Sequence, residues 1–225
     1  MSNTIKMIAV FSIAIIVFSL IFTSWGLDDL NGLLAHPARF VLLLLILVFF
    51  IIIGLFVPLG GLSSTRLLSQ EKVEDNVLIA FMGAMGILLF LMISPFSDRR
   101  EWMQLSDGDA LRYLGVFLFA LGAAFVIWTS FYMCKQWRQK SSYKLMTEGP
   151  FKFVRHPRDF GSIMIFLSIP LVFLSSLGLL LAILSSAGLL ERISREEKML
   201  QQQFKEEWSK YAHRTKCLIP WLNLS

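Results

Sequence analysis

Long runs of apolar residues alternate with short polar segments along most of this chain. Since an α-helix rises about 1.5 Å per residue, about 20 apolar residues are enough to cross the hydrocarbon core of a bilayer. Runs of about this length occupy 5–25, 40–59, 77–95 and 111–133. The pattern therefore predicts an all-α integral membrane protein in which these four runs are membrane segments.

A longer apolar run covers 160–190 and exceeds what one untilted helix needs. Pro170 and the segment 175–178 are possible breaks, giving either one kinked span or a hairpin of two short spans. The loop before the run and the tail after it each contain seven basic residues, and positive charge collects on the cytosolic side of a membrane. Because both segments are then cytosolic, the chain must cross twice between them, at 160–174 and 177–190.

This assignment gives six membrane segments, with both termini in the cytosol and the loops 26–39 and 96–109 outside. The polar elements 134–159 and 191–221 are both cytosolic. Within the second, apolar residues recur at helical spacing over 194–211, which predicts a helix outside the membrane that closes over the basic loop. We expect the whole chain, 1–225, to form one membrane-embedded domain.

Composition supports the membrane class and limits the function. Of the 225 residues, 56% are hydrophobic and only 16% are charged, too few for the surface of a soluble domain of this size. The net charge of +5 agrees with basic cytosolic loops beside membrane lipids rather than with nucleic-acid binding. The two cysteines, Cys134 and Cys217, have neither a disulfide framework nor a metal-ligand spacing, so no metal site is predicted.

The first candidate for chemistry is the tripeptide Arg155-His156-Pro157 in the basic loop. The proline pushes His156 into an extended conformation, which ends any helix and leaves the imidazole free to face a ligand. Gly161 lets the next helix begin close to another backbone or a ligand. The alternative is a juxtamembrane anchor in which the arginines bind lipid headgroups.

The second candidate follows the hairpin. Arg192 and Glu196 are four residues apart, so on a helix they share one face. The Glu196 carboxylate is suited to accept hydrogen bonds from ribose hydroxyls or an ammonium group, and Arg192 is suited to hold an anionic substrate. Glu197 lies about 100° around the helix and is expected to matter less. The alternative is an ordinary solvated helix face.

Taken in order, these residues resemble the isoprenylcysteine carboxyl methyltransferase family, whose wider group includes membrane phospholipid methyltransferases. The resemblance covers about residues 136–221. The matching residues are Gly149-Pro150-Phe151, Arg155-His156-Pro157, Gly161, Arg192, Glu196-Glu197, Phe204, Glu207-Trp208, Tyr211 and Ile219-Pro220.

The resemblance implies a methyltransferase that uses S-adenosyl-L-methionine in a cytosol-facing pocket and takes a lipophilic or lipid-anchored acceptor from the membrane. His156 and Pro157 match the family's cofactor loop, Glu196 its cofactor-binding glutamate, and Arg192 its substrate-side arginine. The full predicted cofactor-binding set is Gln136, Tyr143, Lys144, Leu145, Met146, Phe151, His156, Pro157, Arg158, Asp159, Gly161, Glu196 and Glu197.

Two positions depart from the family pattern, since Asp159 and Phe151 stand where the family commonly has tyrosine. Asp159 adds an acid near the reacting centre or a partner for Arg155 or Arg158, so Asp159 and Arg192 are the candidate catalytic residues. A carboxylate or thiolate acceptor needs no base, whereas an amine would need Asp159, His156 or Glu197. The acceptor stays open among these classes.

Two other functions compete with methyl transfer. The tail from Lys205 to Tyr211, followed by Ile219-Pro220, also resembles the C-terminal end of membrane sterol reductases, which use NADPH. The second alternative is an inactive membrane scaffold of the same fold. The cores of the six segments contain no ionisable residue, which argues against an ion transporter.

Overall fold

The structure is a computed structural model that describes residues 3–57, 77–105, 108–138 and 145–218. Within these ranges the chain forms helices joined by short turns, and helix makes up 86% of the structure. The prediction of an all-α membrane protein is confirmed. The helices are α1 (Asn3–Trp25), α2 (Leu30–Ala35), α3 (Pro37–Phe56), α4 (Val77–Arg99), α5 (Asp109–Arg138), α6 (Pro157–Val172) and α7 (Ser176–Arg214).

Five of these helices, α1, α3, α4, α5 and α7, are long and apolar enough to cross a membrane. The sixth candidate, α6, has 16 residues. At about 1.5 Å per residue it extends about 24 Å, less than the roughly 30 Å of a hydrocarbon core. It is therefore the short arm that the sequence predicts for the last pair of segments.

The predicted reversal between the last two segments is present at 173–175. Ser175 caps α7 by accepting a hydrogen bond from the Gly178 amide at 3.0 Å, and Leu174 has a positive φ of 46°. The Leu105 amide donates to the Leu174 carbonyl at 2.7 Å. The turn thus packs against residues 100–105, which follow α4. We name this end of the bundle the opposite end, because it lies away from the charged site described below.

The last helix differs from the sequence prediction. Instead of a membrane segment over 177–190 and a separate helix over 194–211, α7 continues without interruption past residue 190 and is broken only at Lys205, where the backbone is non-helical. Proline does not occur within 176–214, and ion pairs four residues apart, Glu191 with Arg195 and Arg192 with Glu196, span the junction. A change from apolar to charged composition therefore does not end the helix.

A buried cluster of charges joins four helices at the opposite end. Asp98, whose side chain is 2% exposed, contacts Arg39 at 2.9 Å and Arg112 at 2.7 Å. The Arg112 guanidinium also donates to the carbonyl of Val172 at 2.6 Å. The cluster thereby fixes the end of α6, and with it the turn into α7, to α3, α4 and α5.

Helices α5 and α6 pack closely because glycines face each other. A Cβ atom added to Gly122 would lie 2.6 Å from the carbonyl oxygen of Gly161, and one added to Gly161 would lie 2.6 Å from the carbonyl oxygen of Gly122. Such small residues let membrane helices approach closely. Of the two roles predicted for Gly161, the structure shows the close approach to a backbone. The main core lies beside this pair and includes Ile21, Leu42, Ile46, Phe90 and Phe173.

Candidate functional site

The His-Pro loop, residues 145–156, precedes α6 and lies against the end of α7 and the residues that follow it. The Arg155 amide donates to the Lys216 carbonyl at 2.8 Å, and the His156 amide donates to the Cys217 carbonyl at 3.2 Å. His156 is the residue before α6, and Pro157 begins the helix as the sequence predicts. From Ser176 to Glu196 α7 covers 20 residues, about 30 Å. The end of the bundle that contains the His-Pro loop, which we name the site end, is therefore at the far side of the bundle from the hairpin turn.

Arg155 joins the loop to α7 by a two-bond ion pair. Its Nε lies 2.7 Å from Oε1 of Glu197, and its Nη2 lies 3.1 Å from Oε2. The remaining nitrogen, Nη1, donates to the carbonyls of Ala212 and Thr215 at 3.0 Å each. Burial would raise the pKa of the Glu197 carboxyl, but hydrogen bonds from His156 and Arg155 outweigh it and lower the pKa to about 2. Glu197 is thus ionised at neutral pH.

His156 stands between carboxylates on both sides and is 6% exposed. Its Nε2 lies 3.3 Å from Oε1 of Glu197. Its Nδ1 faces Oε2 of Glu196 at 3.7 Å and Oδ2 of Asp159 at 3.9 Å. Because an ionised carboxylate can only accept, the contact with Glu197 is a hydrogen bond when Nε2 carries a proton.

Two further arginines lie among these acids. Arg192 Nε contacts Oε1 of Glu196 at 3.3 Å, on the face predicted from their spacing. Burial lowers the pKa of the Arg158 guanidinium, the charge of Asp159 raises it, and the charge of Arg192 lowers it again. The site end therefore brings together six predicted residues, Arg158, Asp159, His156, Arg192, Glu196 and Glu197.

Several other predicted positions make contacts of their own. Gln136 donates to the hydroxyl of Tyr132 at 3.2 Å, and the Phe151 ring packs on Tyr132 with centroids 6.1 Å apart. Leu145 is buried against Trp208 and Tyr211. Met146, the next residue in the chain, is partly buried. Tyr143 and Lys144 lie outside the described residues.

The structure adds residues to which the sequence gave no specific role. The Tyr211 hydroxyl donates to the carbonyl of Phe151 at 2.7 Å, which ties the loop to the end of α7. Burial, with the charge of Glu197, raises the pKa of the Cys217 thiol to about 11, so it stays protonated. Lys205 has a non-helical backbone (φ 42°, ψ −109°) that kinks α7. A kink of this kind carries no signal in residue type, since lysine is an ordinary helix former.

The fold and the site together define a helical membrane protein with a charged, partly buried site at one end of its bundle. Residues 111–207 match the family model for phospholipid methyltransferases. This match covers less than half of the chain and confirms the resemblance to membrane methyltransferases found in the sequence. A comparison with curated proteins found no match.

Proposed function

We propose that this protein transfers a methyl group from S-adenosyl-L-methionine to a lipophilic or lipid-anchored acceptor at the site end. The observation that supports this most is the approach of His156 and Glu196, whose facing atoms are 3.7 Å apart. These two residues belong to different arms of the hairpin, both inside the segment matched by the family. On this proposal the two polar elements singled out in the sequence form one site.

The groups at this site suit the chemistry of the cofactor. When bound, the cofactor supplies a methyl group already activated by a sulfonium. The Glu196 and Asp159 carboxylates would accept hydrogen bonds from its hydroxyl or ammonium groups, and Phe151, Leu145 and Gln136 would complete the pocket between the loop and α5. The residues mainly need to align the reacting groups and exclude water.

The acceptor would reach the site from the lipid. The first half of α7 exposes Leu180, Ile183 and Leu184, each more than half exposed, as a lipid-facing helix does. Arg192 follows this stretch directly, where a lipid-borne acceptor would present its polar end. A guanidinium holds a planar anion by two parallel hydrogen bonds, so we assign to Arg192 the binding of the anionic part of the acceptor. For an acceptor that needs a base, Asp159 or His156 would accept its proton.

The proposed orientation places both termini and the site end in the cytosol, and cysteine labelling tests it. Single cysteines at positions in 96–109 should react with an impermeant maleimide added outside, while cysteines at 145–155 and 198–215 should react only after permeabilisation. Labelling of 198–215 from outside would contradict the orientation. The control is Cys134→Ser with Cys217→Ser as the background, which should give no signal.

Cofactor binding is tested by titrating S-adenosylhomocysteine into the purified full-length protein. His156→Ala and Glu196→Ala should each weaken binding by about 10-fold or more, the loss of one charge-assisted hydrogen bond, without changing the melting temperature by more than a few degrees. NADPH titrated in the same way tests the reductase alternative. Unchanged S-adenosylhomocysteine affinity in both variants, or binding of NADPH instead, would remove this function.

Arg192→Lys separates the acceptor from the cofactor in the same assays. A lysine ammonium keeps the charge but not the two parallel bonds. We expect S-adenosylhomocysteine affinity near that of the unchanged protein and a strongly reduced rate of methyl transfer into lipid extracts. Full activity in this variant would instead assign Arg192 to lipid headgroup anchoring.

A further inference from the structure

Three aromatic side chains form an exposed patch at the site end. They are Trp128 and Phe131 on α5 and Phe153 in the His-Pro loop, and they are 43%, 41% and 59% exposed. The rings of Trp128 and Phe153 are in edge contact, with centroids 5.7 Å apart. We name these three residues the aromatic patch. A contiguous apolar surface of this kind marks contact with a partner or with lipid.

The part of the aromatic patch on α5 continues the lipid-facing side of that helix. Exposed positions recur at spacings of three and four residues and so share one helix face. They are Phe117, Ala120, Ala124, Trp128, Phe131 and Lys135. This face is apolar as far as Phe131 and becomes charged at Lys135, so we take Lys135 as the level at which the leaflet meets water.

The depth of Phe153 follows from its contact with Trp128. Trp128 precedes Lys135 by seven residues, which corresponds to about 10 Å along the helix axis. Interfacial segments bury their apolar side chains to a similar depth, about 5–10 Å into the boundary between headgroups and acyl chains. The exposed ring of Phe153 therefore lies within the leaflet rather than in water.

The pairing of α5 with α6 places the loop at a similar level. Phe125 and Phe160 are in edge contact, with ring centroids 5.2 Å apart. Since the two helices run in opposite directions, α6 begins at Pro157 about one turn beyond this contact, which is still below the level of Lys135. The residues just before α6 thus enter the leaflet together with the start of the helix.

Two lysines flank the aromatic patch. Lys135 follows it on α5, Lys152 precedes Phe153 in the loop, and both are exposed. Lysine side chains extend from an apolar surface towards the headgroups, and anionic headgroups attract them. Protein interfaces, in contrast, are depleted in lysine. The charges beside the patch therefore favour a lipid leaflet over a protein partner.

We propose that the aromatic patch anchors the His-Pro loop in the membrane, with Phe153 inserted into the leaflet at the site end and Lys135 and Lys152 on anionic headgroups. The loop is then held from two sides, by α7 through Arg155 and by lipid through Phe153. This surface goes beyond the proposed function and does not depend on it.

Nitroxide labels at three exposed positions test the insertion. Phe153→Cys is compared with Phe117→Cys, which faces lipid within the span, and with Glu148→Cys, an exposed polar position in the same loop. Each is combined with Cys134→Ser and Cys217→Ser in the full-length protein, in vesicles of phosphatidylcholine and phosphatidylglycerol. We expect the label at 153 to resemble the one at 117, being relaxed by oxygen dissolved in lipid and shielded from an aqueous nickel chelate that reaches the label at 148.

Two results of this experiment would overturn the anchor. One is equal access of the nickel chelate to the labels at 153 and 148, which would place Phe153 in water. The other is spin–spin broadening at 153 that disappears when labelled protein is diluted with unlabelled protein, which would mean that a second copy of the chain covers the aromatic patch.

Lys135→Gln combined with Lys152→Gln tests the headgroup contact by native mass spectrometry in detergent. The double variant should bind phosphatidylglycerol about 10- to 30-fold more weakly, since each lysine at an anionic surface contributes about fivefold, while phosphatidylcholine binding stays unchanged. Lys198→Gln combined with Lys210→Gln, two exposed lysines of α7, has the same change in charge and should bind as the unchanged protein does. Equal losses in both double variants would reflect net charge alone and would overturn the headgroup contact. Because this measurement needs no cysteine substitution, it decides the proposal alone where Cys217→Ser prevents folding.

Discussion

Asp98→Asn is expected to lower the free energy of unfolding by about 3–5 kcal/mol, the usual cost of removing one partner from a buried ion pair. The carboxylate of Asp98 is 2% exposed and is shared by Arg39 and Arg112. The amide has nearly the same shape but no charge, so two guanidiniums that are 12% and 11% exposed would lose their counter-ion. At roughly 2–4 °C per kcal/mol for a chain of this length, the melting temperature in detergent should fall by about 10 °C.

Asp28→Asn provides the matched control at the same end of the bundle. Asp28 also pairs with an arginine, Arg99, but its side chain is 75% exposed. Exposed ion pairs contribute little, so this variant should melt close to the unchanged protein. Similar melting of Asp98→Asn and Asp28→Asn would show that burial does not make the Asp98 cluster important.

The Asp98 cluster also matters for the site, although it lies at the opposite end. Arg112 holds the carbonyl of Val172, the last residue of α6, immediately before the turn into α7. His156 precedes α6 and Glu196 belongs to α7. Since both helices are stiff, their relative position at the turn fixes the spacing of the two site residues about 30 Å away. We therefore expect Asp98 variants that still fold to bind S-adenosylhomocysteine more weakly.

The sequence predicts that His156 and Glu196 lie together, because charge and hydropathy are properties of whole segments and set the number of membrane crossings between them. Two basic segments on either side of one apolar run required a hairpin, and the hairpin placed His156 beside Glu196. The structure agrees with a contact of 3.7 Å between them. Segment-level physics thus suffices to bring two distant polar clusters to one end of a bundle.

The pairing of individual charges within the site could not be predicted in the same way. Arg155, Arg158 and Arg192 have similar surroundings in the sequence, yet Arg155 alone makes the two-bond contact with Glu197. That choice depends on the pairing of the loop with Lys216 and Cys217, which are about 60 residues away in the chain. Contacts of this range have no local pattern, so helical spacing could not predict the pairing of Glu197 with Arg155.

The continuity of α7 across residue 190 could not be predicted for a different reason. The membrane is expected to end near Leu190, but the hydrogen bonds within a helix form in water as well as in lipid, so the helix need not end there. The charged part of the helix is stabilised by its own i,i+4 pairs, such as Arg192 with Glu196. A membrane boundary and a helix end are therefore separate features of this sequence.

Glu197→Gln is expected to destabilise the protein by about 3 kcal/mol at neutral pH. The substitution keeps the shape of the side chain but removes the charge that Arg155, 10% exposed, is paired with. The pKa agrees in direction. The carboxyl pKa falls from 4.5 to about 2 on folding, so the ionised form is favoured in the folded state.

The sign of this effect predicts its pH dependence. Because the folded pKa is the lower one, the contribution of Glu197 is complete above pH 4.5 and is lost as the pH falls towards 2. Melting temperatures measured between pH 7 and pH 2.5 should therefore fall more steeply for the unchanged protein than for Glu197→Gln, and the two curves should converge at the acid end. Parallel curves would mean that the ion pair with Arg155 does not contribute to stability.

Glu196→Gln, one residue away, distinguishes the ion pair between Glu197 and Arg155 from the ligand site. Glu196 faces Nδ1 of His156 and the Arg192 guanidinium rather than Arg155, so its loss should weaken S-adenosylhomocysteine binding while the protein melts nearly as before. In Glu197→Gln the larger effect should be on stability, with a binding defect that grows with temperature as the His-Pro loop separates from α7.

A double-mutant cycle of Glu197→Gln with Arg155→Met should recover most of the 3 kcal/mol as coupling energy between the two residues. Independent, additive losses would show instead that each residue acts through other contacts.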